Sequence, residues 1–305
     1  MQSLLLPVAF ALASALSNAT ATVLQRQEAL KVPSSSGFRP GLMLDLLRRP
    51  LWLTGIAAVL VAGVCQALAL NTGPLAIVQP LFVLELPLAL IVASLVMHRH
   101  LPPAGWGAVA LVVVGLGIAL AAASPTGNRT QVPLDRWLPA LALCGGAVAV
   151  LAVVALRRPT GRARAALLGT ATAISYALTA ALMKSATHIL EDEGAAAFFT
   201  SWEVYAFAVT GGTALFLLEN ALQAGPLVAS QPALTLGDAT LSLLLGVTLY
   251  EEHVRTGWWL IPELLGLGLI TAGVFALARI PLAETLVAAE ETSGAAPPQA
   301  GQPMP

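Results

Sequence analysis

Two acidic residues lie deep inside long apolar segments of this chain. Glu85 is midway along the apolar stretch 74–97, and Asp238 is midway along the stretch 226–249. Placing an Asp at the centre of a bilayer costs about 2.5–3.5 kcal/mol on insertion scales, so such residues mostly face a cavity or a partner. We predict that Glu85 and Asp238 line a central cavity, where they bind a cation or take up a coupling proton. The alternative is a protonated or hydrogen-bonded carboxyl group with a structural role.

A Gln-Pro pair precedes each of these carboxyl residues on the same segment. Gln79 is followed by Pro80, and Gln231 is followed by Pro232. A proline inside a helix removes a backbone hydrogen bond and kinks the helix. The freed carbonyl groups and the glutamine amides therefore predict a polar site for a solute or an ion. A kink that only allows helices to pack is the alternative, and the sequence leaves both open.

The remaining polar residues are weaker candidates for a binding site. Lys184 lies near the end of an apolar segment, so we expect its amine to reach the membrane surface. Glu251 and Glu252 are expected in a solvated loop, and Asn18 and Tyr176 are secondary candidates within the spans. Tryptophans at the segment edges predict an aromatic belt at the two membrane surfaces: Trp52, Trp106, Trp137, Trp202, Trp258 and Trp259.

The sequence shows no enzyme signature. It contains no phosphate-binding glycine loop with lysine, no H-E-x-x-H and no G-x-S-x-G motif. Four glycines at 115, 117, 266 and 268 instead predict close helix packing. We therefore predict a protein that is not an enzyme and that needs no cofactor, while the ligands of any metal site stay unknown.

The composition explains where these residues must sit. Of 305 residues, 57% are hydrophobic and only 10% are charged, whereas soluble domains carry about 25% charged residues. So little charge cannot cover a water-facing surface, which predicts that most of the surface contacts lipid. The net charge of -1 offers no attraction for nucleic acid.

Nine apolar segments are long enough to cross a bilayer, which takes about 20 residues. They lie near 3–24, 51–70, 74–97, 104–123, 137–156, 165–187, 203–222, 226–249 and 258–278. The first also looks like the core of a secretory signal with an A-x-A site at 19–21. No Lys or Arg precedes it, so we favour a retained helix.

Charge placement predicts the orientation of the nine segments. Cytoplasmic loops are enriched in Lys and Arg. If the segments alternate, all 15 basic residues fall on one face except Arg129, Arg136, Lys184 and Arg255. This pattern predicts a multi-pass cell-membrane protein with its N-terminus outside and its C-terminus in the cytoplasm. Residues 283–305 are rich in Ala, Pro, Gly and Glu and are predicted to be a disordered tail.

An internal repeat divides the chain. The sequence GPL at 73–75 with QP at 79–80 recurs as GPL at 225–227 with QP at 231–232, and GW at 105–106 recurs at 257–258 with the same offset. Segments one to four therefore correspond to six to nine. Because five segments separate the two starts, the copies enter the membrane in opposite directions. This predicts an all-α membrane protein of two inverted repeats, 1–156 with five helices and 157–282 with four.

These motifs resemble the drug/metabolite transporter superfamily. The resemblance rests on 67–80 and its copy 221–232, on the acidic pair 251–252, and on the glycine-rich stretch 264–268. It implies a secondary transporter with alternating access. EamA-like members usually have ten helices, whereas nine helices with an outside N-terminus are closer to the NIPA-type branch, which is associated with magnesium transport.

The sequence thus predicts a transporter for a small solute, either a metabolite or drug or a divalent cation such as magnesium. Its expected partners are this solute and the lipid bilayer, and a homodimer is an open alternative for its assembly. Two other classes stay open: an intramembrane enzyme acting on lipids, and a membrane scaffold without transport. A scaffold has no reason to carry Glu85 and Asp238 in mid-membrane, which argues mildly against it.

Overall fold

The computed structural model describes residues 4–29 and 50–280, except for residues 97, 99, 128, 130 and 226. These residues form helices joined by short connections. The predicted tail 283–305 lies outside the described residues. In chain order the helices are α1 (Leu5–Ala29), α2 (Pro50–Thr72), α3 (Leu75–Leu81), α4 (Glu85–Val96), α5 (Pro103–Ala123), α6 (Leu134–Leu156), α7 (Arg162–Asp192), α8 (Gly194–Thr200), α9 (Trp202–Ala224), α10 (Leu227–Leu249) and α11 (Leu260–Leu277).

Within the described ranges, nine helical stretches are long and apolar enough to cross a membrane. Their bounds lie within a few residues of the predicted segments in most cases. The third stretch, Leu75–Val96, consists of α3, a 3-10 turn and α4. Large apolar side chains face outward, for example Leu60, which is 67% exposed, and Val209, which is 69% exposed. The prediction of an all-helical protein compatible with a multi-pass membrane location is confirmed.

The long helix α7 lies at the centre of the bundle. In its apolar stretch 67% of the residues are buried, against 6% in α6. It packs against α9 and α10 and also contacts α2, α3 and α6. A side chain on α7 can therefore reach both predicted halves of the chain, whereas α6 lies at the edge.

Helices pair in the same way within the two predicted halves. In the first half α1 packs against α2 and against the stretch formed by α3 and α4. In the second half α7 packs against α9 and α10. Helices α5 and α11, the fourth span of the first half and the fourth span of the second, pack against each other, and α3 packs against α10. Contacts between the halves are thus made in part by corresponding helices, while α7 adds its contacts to α2, α3 and α6.

The contact between α5 and α11 depends on two of the four glycines. A Cβ atom added to Gly115 would lie 2.7 Å from the carbonyl oxygen of Gly266, and one added to Gly266 would lie 2.5 Å from the carbonyl oxygen of Gly115. Gly117 and Gly268 have nothing within 4 Å of such an atom. The prediction of close packing is therefore right for Gly115 and Gly266 and wrong for Gly117 and Gly268, because only the first two face the partner helix.

The two prolines of the repeat have different effects. After Pro80, α3 ends at Leu81, and a 3-10 turn at Phe82–Leu84 leads into α4. Pro80 lacks the N–H that would bond four residues back, which accounts for a break at this place. Helix α10 instead runs from Leu227 to Leu249 across Pro232 without a change of helix type. The break in the third stretch places Glu85 at the first residue of α4.

One tryptophan departs from the predicted aromatic belt. Trp258 is 86% exposed and Trp106 is 53% exposed, as expected for residues at a membrane surface. Trp137 is instead fully buried, and its ring contacts the edge of Trp202 at 5.7 Å between ring centres. For Trp137 the prediction is wrong, because its side chain turns inward against Trp202 of α9.

Candidate functional site

Glu85 forms a hydrogen bond between two helices in the middle of the bundle. The side-chain amide of Asn18, on α1, donates to Oε1 of Glu85 at 2.7 Å. Both side chains are only half-buried, so the carboxyl group is not sealed into the packing. The bond uses one oxygen of Glu85 and leaves the other available to a solute, an ion or a proton.

Asp238 lies on α10, which packs against α7 and α3. The hydroxyl of Ser242, one helical turn later, donates a long hydrogen bond of 3.4 Å to Asp238 Oδ1. Tyr176 lies on α7 and is half-buried, as are Asp238 and Glu85. The two predicted carboxyl groups, with Asn18 and Tyr176, are thus carried by helices that pack together within the bundle. We call Asn18, Glu85, Tyr176 and Asp238 the central cluster.

The two glutamines lie on the same helical stretches as the carboxyl groups but differ in burial. Gln79, on α3, is 3% exposed, and its amide nitrogen has no hydrogen-bond partner among the described residues. Gln231, on α10, is half-buried. Among the described hydrogen bonds, neither glutamine contacts Glu85 or Asp238. Their predicted role in binding stays a prediction, and Gln79 is the stronger of the two because a buried, unpaired amide has a donor to offer.

A buried ion pair at one end of the bundle was missed by the sequence reasoning. The amine of Lys184, on α7, lies 2.9 Å from Oε1 of Glu252, and both side chains have no exposed surface. The amine also donates to the carbonyl oxygen of Gly73 at 3.2 Å. The expectations that Lys184 reaches the membrane surface and that Glu252 is solvated are both wrong. Both side chains turn inward, where each charge has the other as its partner.

Glu252 also holds the first turn of α3. The backbone N–H of Leu75 donates to Oε1 at 2.6 Å, and the N–H of Ala76 donates to Oε2 at 2.8 Å. These N–H groups have no partner within their own helix, and a carboxylate at a helix start is favoured by the helix dipole. Each oxygen of the buried carboxylate is therefore occupied, which the low polarity of the surroundings requires.

Neighbouring residues complete the surroundings of the ion pair. The Lys184 amine lies 4.6 Å from the ring centre of Tyr250. The Tyr250 hydroxyl donates to the carbonyl oxygen of Ala181 at 2.6 Å and lies 2.9 Å from the Ser185 hydroxyl. Gly246 leaves room for the carboxylate, since a Cβ atom there would collide with Glu252. We call Lys184, Glu252 and Tyr250, with the start of α3, the buried ion cluster.

A sequence signal for this cluster existed. Lys184 lies well inside the 31-residue helix α7, several positions before its last residue, Asp192. A lysine at such depth needs an acidic or carbonyl partner. The adjacent acids Glu251 and Glu252 follow α10, but sequence alone does not tell which of the two turns inward.

Glu251 faces solvent, whereas its neighbour Glu252 is buried. It is exposed, has a left-handed backbone with φ of 51° and binds two arginines, one in the segment before α6 and one in the first turn of α6. The Arg129 guanidinium lies 2.8 Å from its Oε1, and the Arg136 guanidinium contacts the same oxygen. The hydrogen bond from Arg136 and the charge of Arg129 hold the pKa of the Glu251 carboxyl below its ordinary value of 4.5.

The lowered pKa of Glu251 predicts a small acid-sensitive contribution to stability. A carboxyl group whose pKa is lowered by folding stabilises the protein above its ordinary pKa, and this contribution disappears as the pH falls through the lowered value. We therefore expect wild type to melt slightly above Glu251→Gln at neutral pH, and the difference to vanish once the pH lies below the lowered pKa. The measurement is the melting temperature in detergent at both pH values and at low salt, because salt screens exposed pairs. A difference that is equal at both pH values would contradict the ion-pair explanation.

No group of three or more His, Cys, Asp or Glu side chains suited to a metal ion occurs in the described part of the chain. The central cluster offers two carboxyl groups with an amide and a phenol. Mg²⁺ keeps several waters and is often held by one or two carboxylates. The donor set therefore suits a hydrated cation, a cationic organic group or a proton, and it does not resemble a tight structural metal site.

Comparison with known proteins adds one relationship. A protein of Corynebacterium glutamicum, described as uncharacterized, is 30% identical to this chain over 263 residues. The matched region covers 85% of this chain and 89% of the relative. No protein-family profile matches the chain, and no solved structure matches it. The similarity therefore extends over nearly the whole of both proteins.

Proposed function

The chain belongs to the family of the uncharacterized Corynebacterium glutamicum protein, and we propose that it is a secondary transporter that moves a small solute by alternating access. The proposal includes membership of the drug/metabolite transporter superfamily and two inverted repeats. It is supported by the matched sequence motifs and by the equivalent helix pairings of the two halves. In the proposed orientation the N-terminus is outside and the C-terminus is cytoplasmic.

The observation that carries the proposal is the central cluster. Glu85 comes from the first half and Asp238 from the second, and both are half-buried within the bundle. Intramembrane carboxyl groups of this kind are costly and mark ion, proton or substrate pathways. Lys184 does not neutralise them, because its amine is paired with Glu252. The cluster is therefore suited to attract positive charge, which favours a cation or a proton-coupled solute over an anion.

Alternating access gives the cluster a role in the transport cycle. In inverted-repeat transporters the solute binds near the midplane, where the two repeats meet. A cation bound between Glu85 and Asp238 would contact both halves at once. Its release toward either side then follows from separation of the halves at that side. Magnesium and cationic metabolites or drugs are the solute classes that this chemistry accepts.

The test is flux measured with purified protein in liposomes. Magnesium uptake is followed with and without an imposed proton gradient, in wild type and in Glu85→Gln and Asp238→Asn. We expect saturable flux in wild type and a loss of about tenfold or more in each variant, which corresponds to about 1.4 kcal/mol of lost binding. Glu85→Gln keeps a side-chain oxygen for the Asn18 hydrogen bond, so its fold should persist.

Asp135→Asn is the matched control for this test. Asp135 is an exposed carboxyl residue in the first turn of α6, so its neutralisation should leave flux unchanged. If both cluster variants transport at the wild-type rate, the central cluster is not the binding site. If folded wild type moves no magnesium, the same three variants are tested with cationic organic solutes against a proton gradient. Absence of flux there as well would contradict the transporter proposal.

A further inference from the structure

The geometry points to the Lys184–Glu252 ion pair as a gate that closes the solute pathway at one end of the bundle and opens once in each transport cycle. This inference rests on the proposed function, since a gate needs a pathway. By the predicted orientation it lies at the outer end. The structure then describes the chain with this end closed.

The ion pair lies in the second predicted half, and its hydrogen bonds reach the first half. Lys184 belongs to α7, and Glu252 follows α10, both in the second half. Their partners Gly73, Leu75 and Ala76 belong to the first half. Every hydrogen bond that Glu252 and Lys184 make to the turn at 73–76 therefore crosses between halves. The halves cannot separate at this end while these hydrogen bonds are intact.

The short helix α3 connects the ion pair to the central cluster. Glu252 holds the first turn of α3, and α3 ends only a few residues later at the break after Pro80. The residue that begins the next helix is Glu85 of the central cluster. A short helix with a fixed start and a break at its far end can tilt as one piece. Release of α3 at the gate would thus open the space between the membrane surface and the central cluster.

The two ends of the bundle differ in sequence at the positions of the gate. At the offset of 152 residues that relates 73–106 to 225–258, the residue matching Glu252 is His100, and at the upstream offset of 158 the residue matching Lys184 is Arg26. Two basic side chains cannot form an ion pair with each other. The matched positions 26 and 100 therefore cannot form such an ion pair. A gate at one end makes the opening of that end depend on a specific event and not on thermal fluctuation alone.

The electrostatic energy of the pair keeps the gate closed until the charges of Lys184 and Glu252 each find another partner. Separation of a buried pair leaves uncompensated charges in surroundings of low polarity. Replacement of both charges by neutral groups of similar size removes this barrier, because packing is kept while no charge is left without a partner. Lys184→Met with Glu252→Gln is such a replacement, and the glutamine oxygen can still accept one of the N–H groups of α3.

The experiment measures access to a buried position behind the gate. Cys65 and Cys144 are replaced by alanine, and Gln79→Cys is the reporter. Gln79 is buried on α3, and its amide nitrogen has no hydrogen-bond partner, so removal of that nitrogen leaves no other group of the described chain unpaired. A membrane-impermeant maleimide is added to the outer face of oriented proteoliposomes. We expect the double variant Lys184→Met/Glu252→Gln to raise the labelling rate of the reporter thiol at least tenfold over the variant with an intact pair.

Glu251→Gln in the same reporter background is the matched control. It neutralises the adjacent acid, which is exposed and binds Arg129 and Arg136 instead. We expect no change in labelling for this control. Gel filtration of each variant establishes that it is folded. Labelling of a folded double variant at the rate of the intact pair overturns the gate.

A second measurement locks the gate instead of loosening it. Ala76→Cys and Glu252→Cys, one in each half, are combined with Lys184→Met in the background without native cysteines, so that no charge stays buried alone. The two thiols are bridged with a short bifunctional reagent that is cleaved by reductant. Bridging should stop transport of the solute, and cleavage should restore it to the level before bridging. Transport that continues after complete bridging contradicts the gate. Because labelling needs no flux, failure of the gate and failure of the proposed transport function are distinguishable.

Discussion

Lys184→Met alone is expected to be among the most damaging single substitutions in the protein. Removal of the amine leaves the Glu252 carboxylate buried with two backbone N–H donors and no positive charge. Loss of one partner from a buried ion pair costs about 3–5 kcal/mol, which is a large part of the roughly 5–15 kcal/mol by which a typical protein is stable. We expect most of the variant to elute as aggregate, and the folded remainder to melt well below wild type in detergent.

The partner variants separate the charge effect from lost packing. Lys184→Met/Glu252→Gln should recover most of the stability, because it removes both charges while the side-chain volumes stay similar. The coupling between the two sites is then the difference between the double variant and the sum of the single variants. If Lys184→Met melts as wild type does, the carboxylate is not buried with Lys184 as its partner. If the double variant is as unstable as the single one, packing rather than charge explains the loss.

Gly266→Ala and Gly268→Ala are expected to have effects of opposite sign. An alanine Cβ at 266 would lie 2.5 Å from the carbonyl oxygen of Gly115 and 2.7 Å from the backbone nitrogen of Ala119. These are backbone atoms, so α5 and α11 must move apart, and such overpacking costs about 1–3 kcal/mol or more. At 268 nothing lies within 4 Å, so alanine only gains the helix preference of about 0.5–1 kcal/mol over glycine.

The measurement for this pair is the melting temperature in detergent, with Gly117→Ala and Gly115→Ala as a second pair on the facing helix. We expect Gly115→Ala to lower the melting temperature, as Gly266→Ala does. We expect Gly117→Ala not to lower it, as is expected for Gly268→Ala. The two harmful substitutions act on one contact, so their effects should not add. Equal melting temperatures for Gly266→Ala and Gly268→Ala would show that α5 and α11 do not pack as described.

The helices themselves were predictable because their signal is local. A run of about 20 apolar residues with few charges is readable in one dimension, and most of the nine stretches follow the predicted segments closely. The sixth differs most, since α7 continues to Asp192 instead of ending near 187. Its last turns are polar, and a hydropathy criterion stops before them although the backbone stays helical.

The central cluster was partly predictable for the same reason. Glu85 and Asp238 are conspicuous as acidic residues in apolar surroundings, and the structure half-buries both within the bundle. Their neighbours were harder to identify. Asn18 and Tyr176 are ordinary polar residues in their own segments, and they become members of the cluster only because α1 and α7 place them beside α4 and α10.

By itself, the sequence determined the number and approximate bounds of the long apolar helices, the matching motifs of the two halves, and the two mid-span acids. Only the tertiary structure decided which of two adjacent acids is buried, and which glycine of each pair meets another helix. Glu251 and Glu252 have the same chemistry, as do Gly266 and Gly268. Within each pair, the backbone conformation turns the two residues in different directions. Residues distant in the chain determine what lies in each direction.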